Sequence, residues 1–134
     1  MKKINIVFFS ANRAEYSLIF PFLKIFSKNK FFNVGLVVSG SHLEKKFGFS
    51  FDEIKKDKIK IYSKIKIPLQ TNKLDNTADY FNKLQKKINL FFNKRNIDMV
   101  FISSDRFETL AFAISSYLRK IPIIHYEGGD VTEG

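Results

Sequence analysis

The sequence predicts an α/β domain with a doubly wound parallel sheet. Short apolar runs alternate with helical stretches from one end of the chain to the other, which is the pattern of βαβ units. A length of 134 residues suits one domain with a core of its own, with room for one sheet and its helices. No repeat, low-complexity segment or linker breaks the alternation.

Ile4 to Phe9 reads as a buried first strand. The helix after it runs from about Ala14 to Ser27, with Leu18, Phe22 and Ile25 on one stripe and Pro21 marking a start or a kink. Val34 to Val38 is the second strand, closed by Gly40. Two short helical pieces follow, each opened by a capping-box spacing, Ser41 with Glu44 and Ser50 with Glu53. Ile59 to Ile67 alternates apolar residues with Lys, Tyr and Ser, as expected of a half-exposed strand at a sheet edge, where lysines discourage stray pairing. The clearest helix spans about Lys73 to Lys94, with Leu74, Ala78, Phe81, Leu84, Ile88 and Phe91 on one face. One helix without partner heptads packs on a sheet rather than in a coiled coil. Met99 to Ile102 is a strand, Phe107 to Leu118 a helix and Pro122 to Ile124 the last strand. Right-handed crossovers then order the strands 3-2-1-4-5, with the switch point between the first and the fourth.

The composition excludes several classes. There is no Cys, hence no disulfide framework, thiolate metal site or Cys nucleophile. The start, Met1-Lys2-Lys3, resembles a basic leader, but the apolar run behind it is short and broken by Asn5, so a soluble cytoplasmic protein without a membrane partner is expected. The net charge of +10 permits nucleic acid, an anionic membrane or a phosphorylated metabolite as partner. Nearly all the basic residues are lysines on solvated helix faces such as Lys55, Lys56, Lys83 and Lys86, without an Arg cluster or interleaved stacking aromatics, which argues against nucleic acid.

The predicted strand order brings Ser10 to Arg13, Ser39 to His42, Ser103 to Arg106 and His125 to Asp130 to one crevice at the carboxyl ends of the strands. Arg13 beside a helix N-terminus suits a phosphate or carboxylate, or it is a surface residue paired with Glu15. The turn contains neither GxGxxG nor GxxxxGK, so no dinucleotide or P-loop chemistry is indicated. Asp105 either caps the next helix, with Glu108 completing the box, or serves chemistry. Glu127, between a buried strand and a Gly-Gly turn, has no obvious structural task, whereas His125 fits a core histidine with a backbone partner equally well. Asp105 and Glu127 project from adjacent strand ends, where one carboxylate can raise the pKa of the other and so supply acid and base. Gly128 and Gly129 allow close approach of backbone amides to a ligand. With only His42 and His125 as imidazoles, neither a metal site nor another cofactor is expected.

Four segments, SANRAEYSLI, VVSGSHLEKKFGFSFDEI, SSDRFETLAFAI and IPIIHYEGGDVTEG, occur in register along the whole chain. Together they resemble the UDP-N-acetylglucosamine 2-epimerase family, especially its hydrolysing branch from sialic acid biosynthesis. One departure is Ser104, where the family usually has Gly. The resemblance implies a Rossmann-like domain that is the first part of a glycosyltransferase-B-like two-domain enzyme. Residues 1–134 would form an incomplete N-terminal domain, with a second domain and a further acidic residue beyond Gly134, and the full-length enzyme would be a homo-oligomer. The reaction implied eliminates UDP from the nucleotide sugar by removing the C2 proton, giving 2-acetamidoglucal, and then adds water to release N-acetylmannosamine. Asp105 and Glu127 match the family's catalytic carboxylates and Arg13 its phosphate-facing arginine. His42, Arg106 and His125 fit sugar contacts or positioning. Two readings lie close by, a non-hydrolysing 2-epimerase and a hydrolysing enzyme for a 2,4-diacetamido sugar nucleotide. A different class, a non-catalytic flavodoxin-like binding module, also fits the domain pattern.

Overall fold

The computed structural model describes residues 2–45, 50–67, 74–129 and 131, the backbone alone at 74–76. The strands are β1 (Ile4–Ser10), β2 (Phe32–Ser39), β3 (Ile61–Ile65), β4 (Met99–Ser103) and β5 (Ile123–Tyr126). The helices are α1 (Arg13–Lys28), α2 (Phe51–Lys56), α3 (Leu74–Asn93) and α4 (Phe107–Leu118), with a 3₁₀ turn at Gly40–Leu43. All strand pairs are parallel and the order is β3-β2-β1-β4-β5, as predicted. The register runs Ile4↔Phe32 to Ser10↔Val38, and Ser103 faces Tyr126 across the last pair.

Alternation along β1 builds both layers at once. Ile6 and Phe8 turn toward α1 and α2 with Leu36, Val38 and Phe101, whereas Val7 and Phe9 turn toward α3 and α4 with Val37, Val100 and Ile102. Phe8 stacks on Phe101 and Phe9 on Phe112, each pair with ring centroids 4.6 Å apart. A central strand buried on both faces is why Ile6 to Phe9 is an unbroken apolar run.

Several local expectations change in the fold. Pro21 neither starts nor ends α1, which continues from Arg13 to Lys28 around it. The missing N–H costs the helix one bond, offset by burial of Ile19 and Leu23 on either side. The buried stripe of α1 is Tyr16, Ile19 and Leu23, and Ile25 is exposed, because apolar residues around this helix leave its inward face undefined until the sheet selects it. On α3, Leu84, Ile88 and Phe91 are buried as expected, joined by Phe92, while Ala78 is exposed. Lys73 and the side chain of Leu74 lie outside the described residues. Neither capping box forms. Ser41 falls inside the 3₁₀ turn and donates to the Ala11 carbonyl at 3.2 Å, and the Ser50 hydroxyl, although at the N-cap of α2, is engaged by His42. Among the described residues no helix is long and apolar enough to cross a membrane.

Phe112 is fully buried between the rings of Phe9, Phe91 and Phe92, whereas Tyr117, one turn later on α4, is three-quarters exposed. Phe112→Ala should therefore cost about 3–5 kcal/mol in urea denaturation, and Tyr117→Ala no more than about 0.5 kcal/mol.

Candidate functional site

Three of the five strands end in a buried serine, Ser10, Ser39 and Ser103, where the apolar run gives way to polar loops. The hydroxyls of Ser10 and Ser39 begin a hydrogen-bonded layer across the carboxyl edge of the sheet, whereas Ser103 Oγ is buried without a partner among the described residues. Ser39 Oγ donates to the Ile65 carbonyl at 2.7 Å, joining β2 to β3. The Ala11 carbonyl accepts from Ser41 N at 2.9 Å and so joins the end of β1 to the turn after β2. Gly40 makes this possible, with φ +59 and a position where a Cβ would collide with that carbonyl.

His42 is fully buried in this layer, with Nε2 2.7 Å from Ser10 Oγ and Nδ1 2.6 Å from Ser50 Oγ. Ser10 directs its own proton to the Asn12 carbonyl at 3.1 Å, so Nε2 donates to Ser10 and Nδ1 accepts from Ser50. Burial lowers the His42 pKa to about 4, the Arg13 charge acts in the same direction and the Asn12 backbone opposes it. The ring is thus a neutral bridge from β1 to the start of α2.

Glu15 was considered above only as a possible partner of Arg13, and it does something else. Its carboxylate is about 1% exposed and accepts from Ala11 N at 2.9 Å, Ser104 Oγ at 2.5 Å and Thr109 Oγ1 at 2.6 Å. The signal was present in the sequence, since Asn12 and Glu15 have capping-box spacing and Asn12 Oδ1 does accept from Glu15 N at 2.8 Å. Arg13 instead faces outward and pairs with Glu53 of α2 at 2.5 Å.

After β4 the chain turns through Ser104, whose φ of +66 is unusual for a residue with a Cβ. Asp105 follows, exposed, and makes no side-chain hydrogen bond among the described residues. It is not the cap of α4. Arg106 holds the N-cap position without a side-chain cap bond, and its guanidinium turns back onto buried Glu108 with two bonds of 3.1 Å. That contact raises the Arg106 pKa further and leaves Glu108 unable to complete a capping box.

Within β5, His125 is exposed rather than a core residue, and its Nε2 donates to the Ser104 carbonyl at 2.9 Å. The ring lies over Gly128, where any Cβ would strike it, so this glycine makes room for His125. Gly129, with φ +80 and open space around it, turns the chain. Glu127 is exposed and also left-handed, with φ +56. Asp130 and residues 132–134 lie outside the described residues. The fold therefore places Arg13, His42, Asp105, Arg106, Glu127, Gly128 and Gly129 past the carboxyl ends of β1, β2, β4 and β5, and His125 within the last of these, with Asp105 and Glu127 following the paired residues Ser103 and Tyr126. Among the described residues no group of three or more His, Asp or Glu could hold a metal ion.

Comparison with known proteins accords with this geometry. Residues 24–134 match the model of the family described as UDP-N-acetylglucosamine 2-epimerase. The whole chain is 31% identical to the GDP/UDP-N,N'-diacetylbacillosamine 2-epimerase (hydrolyzing) of Campylobacter jejuni, covering 35% of that protein. Over 98% of the chain it is 26% identical to the polysialic acid biosynthesis protein P7 of Escherichia coli, covering 33% of it. A crystal structure of UDP-N-acetylglucosamine 2-epimerase superposes with a TM-score of 0.82 at 19% identity, over 98% of this chain and 34% of that one. The chain thus spans about a third of the length of the curated relatives it matches.

The His42 bridge makes stability depend on pH. Its folded pKa lies below the unfolded value of 6.5, so on acidification the unfolded chain takes up a proton that the folded chain refuses. This contribution is complete above about pH 6.5 and is lost as pH falls toward 4. From about pH 7.5 to 4 the wild type should lose about 3 kcal/mol more than a His42→Gln variant, read from urea midpoints across the range.

Proposed function

The chain belongs to the UDP-N-acetylglucosamine 2-epimerase family, and on that premise we propose that the protein carrying it is a hydrolysing 2-epimerase that converts UDP-N-acetylglucosamine to N-acetylmannosamine and UDP. The observation that carries the reading is the placement of two exposed carboxylates, Asp105 and Glu127, directly past the ends of the paired strands β4 and β5. The hydrolysing branch is supported by the name of the Campylobacter relative, and the link to sialic acid by that of the Escherichia protein.

In this reading the two carboxylates move the protons. A C2–H is weakly acidic, so its removal needs a positioned base, and the C1–O bond electrons leave with UDP as the C1–C2 double bond forms. Water then gives a proton to one carboxylate as its oxygen bonds to C1, and the other carboxyl delivers a proton to C2 on the face opposite the one that lost it, which inverts that carbon and gives N-acetylmannosamine. Arg13 would exchange the Glu53 carboxylate for a phosphate oxygen of the leaving group, a swap that its exposure permits. Further contacts to uridine and diphosphate would come from a second domain of the longer protein. A second reading, a 2,4-diacetamido sugar nucleotide as substrate, is favoured by the Campylobacter relative, whose name specifies diacetylbacillosamine.

In the full-length protein, Asp105→Asn and Glu127→Gln should each reduce turnover by about a hundredfold or more, with UDP binding little changed. Product analysis by NMR separates the branches. Free N-acetylmannosamine with UDP supports the proposal, UDP-N-acetylmannosamine marks a non-hydrolysing enzyme, and turnover of the diacetamido compound alone selects the second reading.

A further inference from the structure

We infer that Ser104 and Glu15 are positioning residues that set the direction of Asp105, an inference that rests on the reading of Asp105 as a catalytic carboxylate. Ser104 lies between the end of β4 and Asp105, and its carbonyl belongs to the same peptide plane as the Asp105 N–H. Ser104 is held at two points, its carbonyl and its hydroxyl. His125 Nε2 donates to the Ser104 carbonyl from β5 at 2.9 Å, and Ser104 Oγ donates to Glu15 at 2.5 Å. Since Ser104 adopts φ +66, a backbone region it would otherwise visit rarely, the surrounding bonds must hold it there.

The anchor is itself bonded to the rest of the fold. Glu15 is buried, and its remaining bonds go to Ala11 N at the end of β1 and Thr109 Oγ1 on α4, so a displacement of the Asp105 loop must break a bond to a buried carboxylate. Glu15 is also two residues from Arg13 in the first turn of α1. One helix start therefore orients the Asp105 loop and carries the phosphate candidate. The Ser104 and Thr109 hydroxyls share one oxygen, Oε2, yet only Ser104 belongs to the loop that holds Asp105.

This shared oxygen provides the test. In the full-length protein Ser104→Ala keeps the Cβ, and hence the backbone cost, and removes only the hydroxyl. It should lower kcat about ten- to a hundredfold with KM little changed, the scale of misplacing a reacting group. Thr109→Ala should lower the thermal midpoint while leaving kcat within about twofold. Ser104→Ala should add no further loss to Asp105→Asn, because the two act as one unit. If Ser104→Ala does not fold, Glu15→Gln, which keeps the side-chain shape and puts an amide in place of one oxygen, reads the same split between kcat and KM. Wild-type kcat in Ser104→Ala with an inactive Asp105→Asn would overturn the positioning role alone. Equal losses of kcat in Ser104→Ala and Thr109→Ala would reduce Glu15 to a structural anchor. Full turnover by Asp105→Asn would remove the catalytic reading and this inference with it.

Discussion

A carboxylate with almost no solvent exposure sits where the end of β1, the loop after β4 and the first turn of α4 meet. Removing an ionised group from water costs several kcal/mol unless nearby donors replace the lost hydration. Glu15 is provided with three such donors, one backbone and two hydroxyl, from segments up to 94 residues away in sequence. Its burial is therefore compatible with one relative placement of those segments and disfavours others. The junction of β1 with β4 depends on this constraint, and these are the neighbours at which the winding of the sheet reverses.

Below that polar layer the architecture follows from aromatic alternation. Adjacent residues of β1 turn to opposite faces, and Phe8 and Phe9 seed one core each, the first with Phe101, Phe22 and Phe26 nearby, the second with Phe112. The two cores fix the height of the strands relative to one another and so determine which residues emerge at the edge. Serines then end β1, β2 and β4, and at Ser10 and Ser39 the hydroxyl marks the step from packing to hydrogen bonding.

Ser104 shows how a departure from a family pattern can be accommodated. The segment resembles one in which Gly usually precedes the Asp, and the backbone here occupies the left-handed region that Gly enters freely. Serine brings a Cβ and its associated strain, together with a hydroxyl that reaches Glu15. His125, on the next strand, holds the carbonyl of the same residue, so the ends of β4 and β5 are joined through one peptide group.

Strand order, helix positions and the placement of the candidate residues at the strand ends were legible from apolar runs and their alternation, since burial imposes a period on the sequence wherever a segment has one wet and one dry side. Family membership was legible from four short segments in register. Where the period was masked the reading slipped. On α1 apolar residues surround the helix, and only contact with the sheet chose Tyr16, Ile19 and Leu23 for full burial, with Phe22 half-buried beside them and Ile25 exposed. The partners of polar side chains were legible least. Arg13 faces Glu53 rather than Glu15, Ser50 serves His42 rather than its own helix, and Glu108 takes Arg106 rather than a capping role. Hydrogen bonds and ion pairs join groups within about 3 Å whatever their separation along the chain, so they are settled only when the fold has closed.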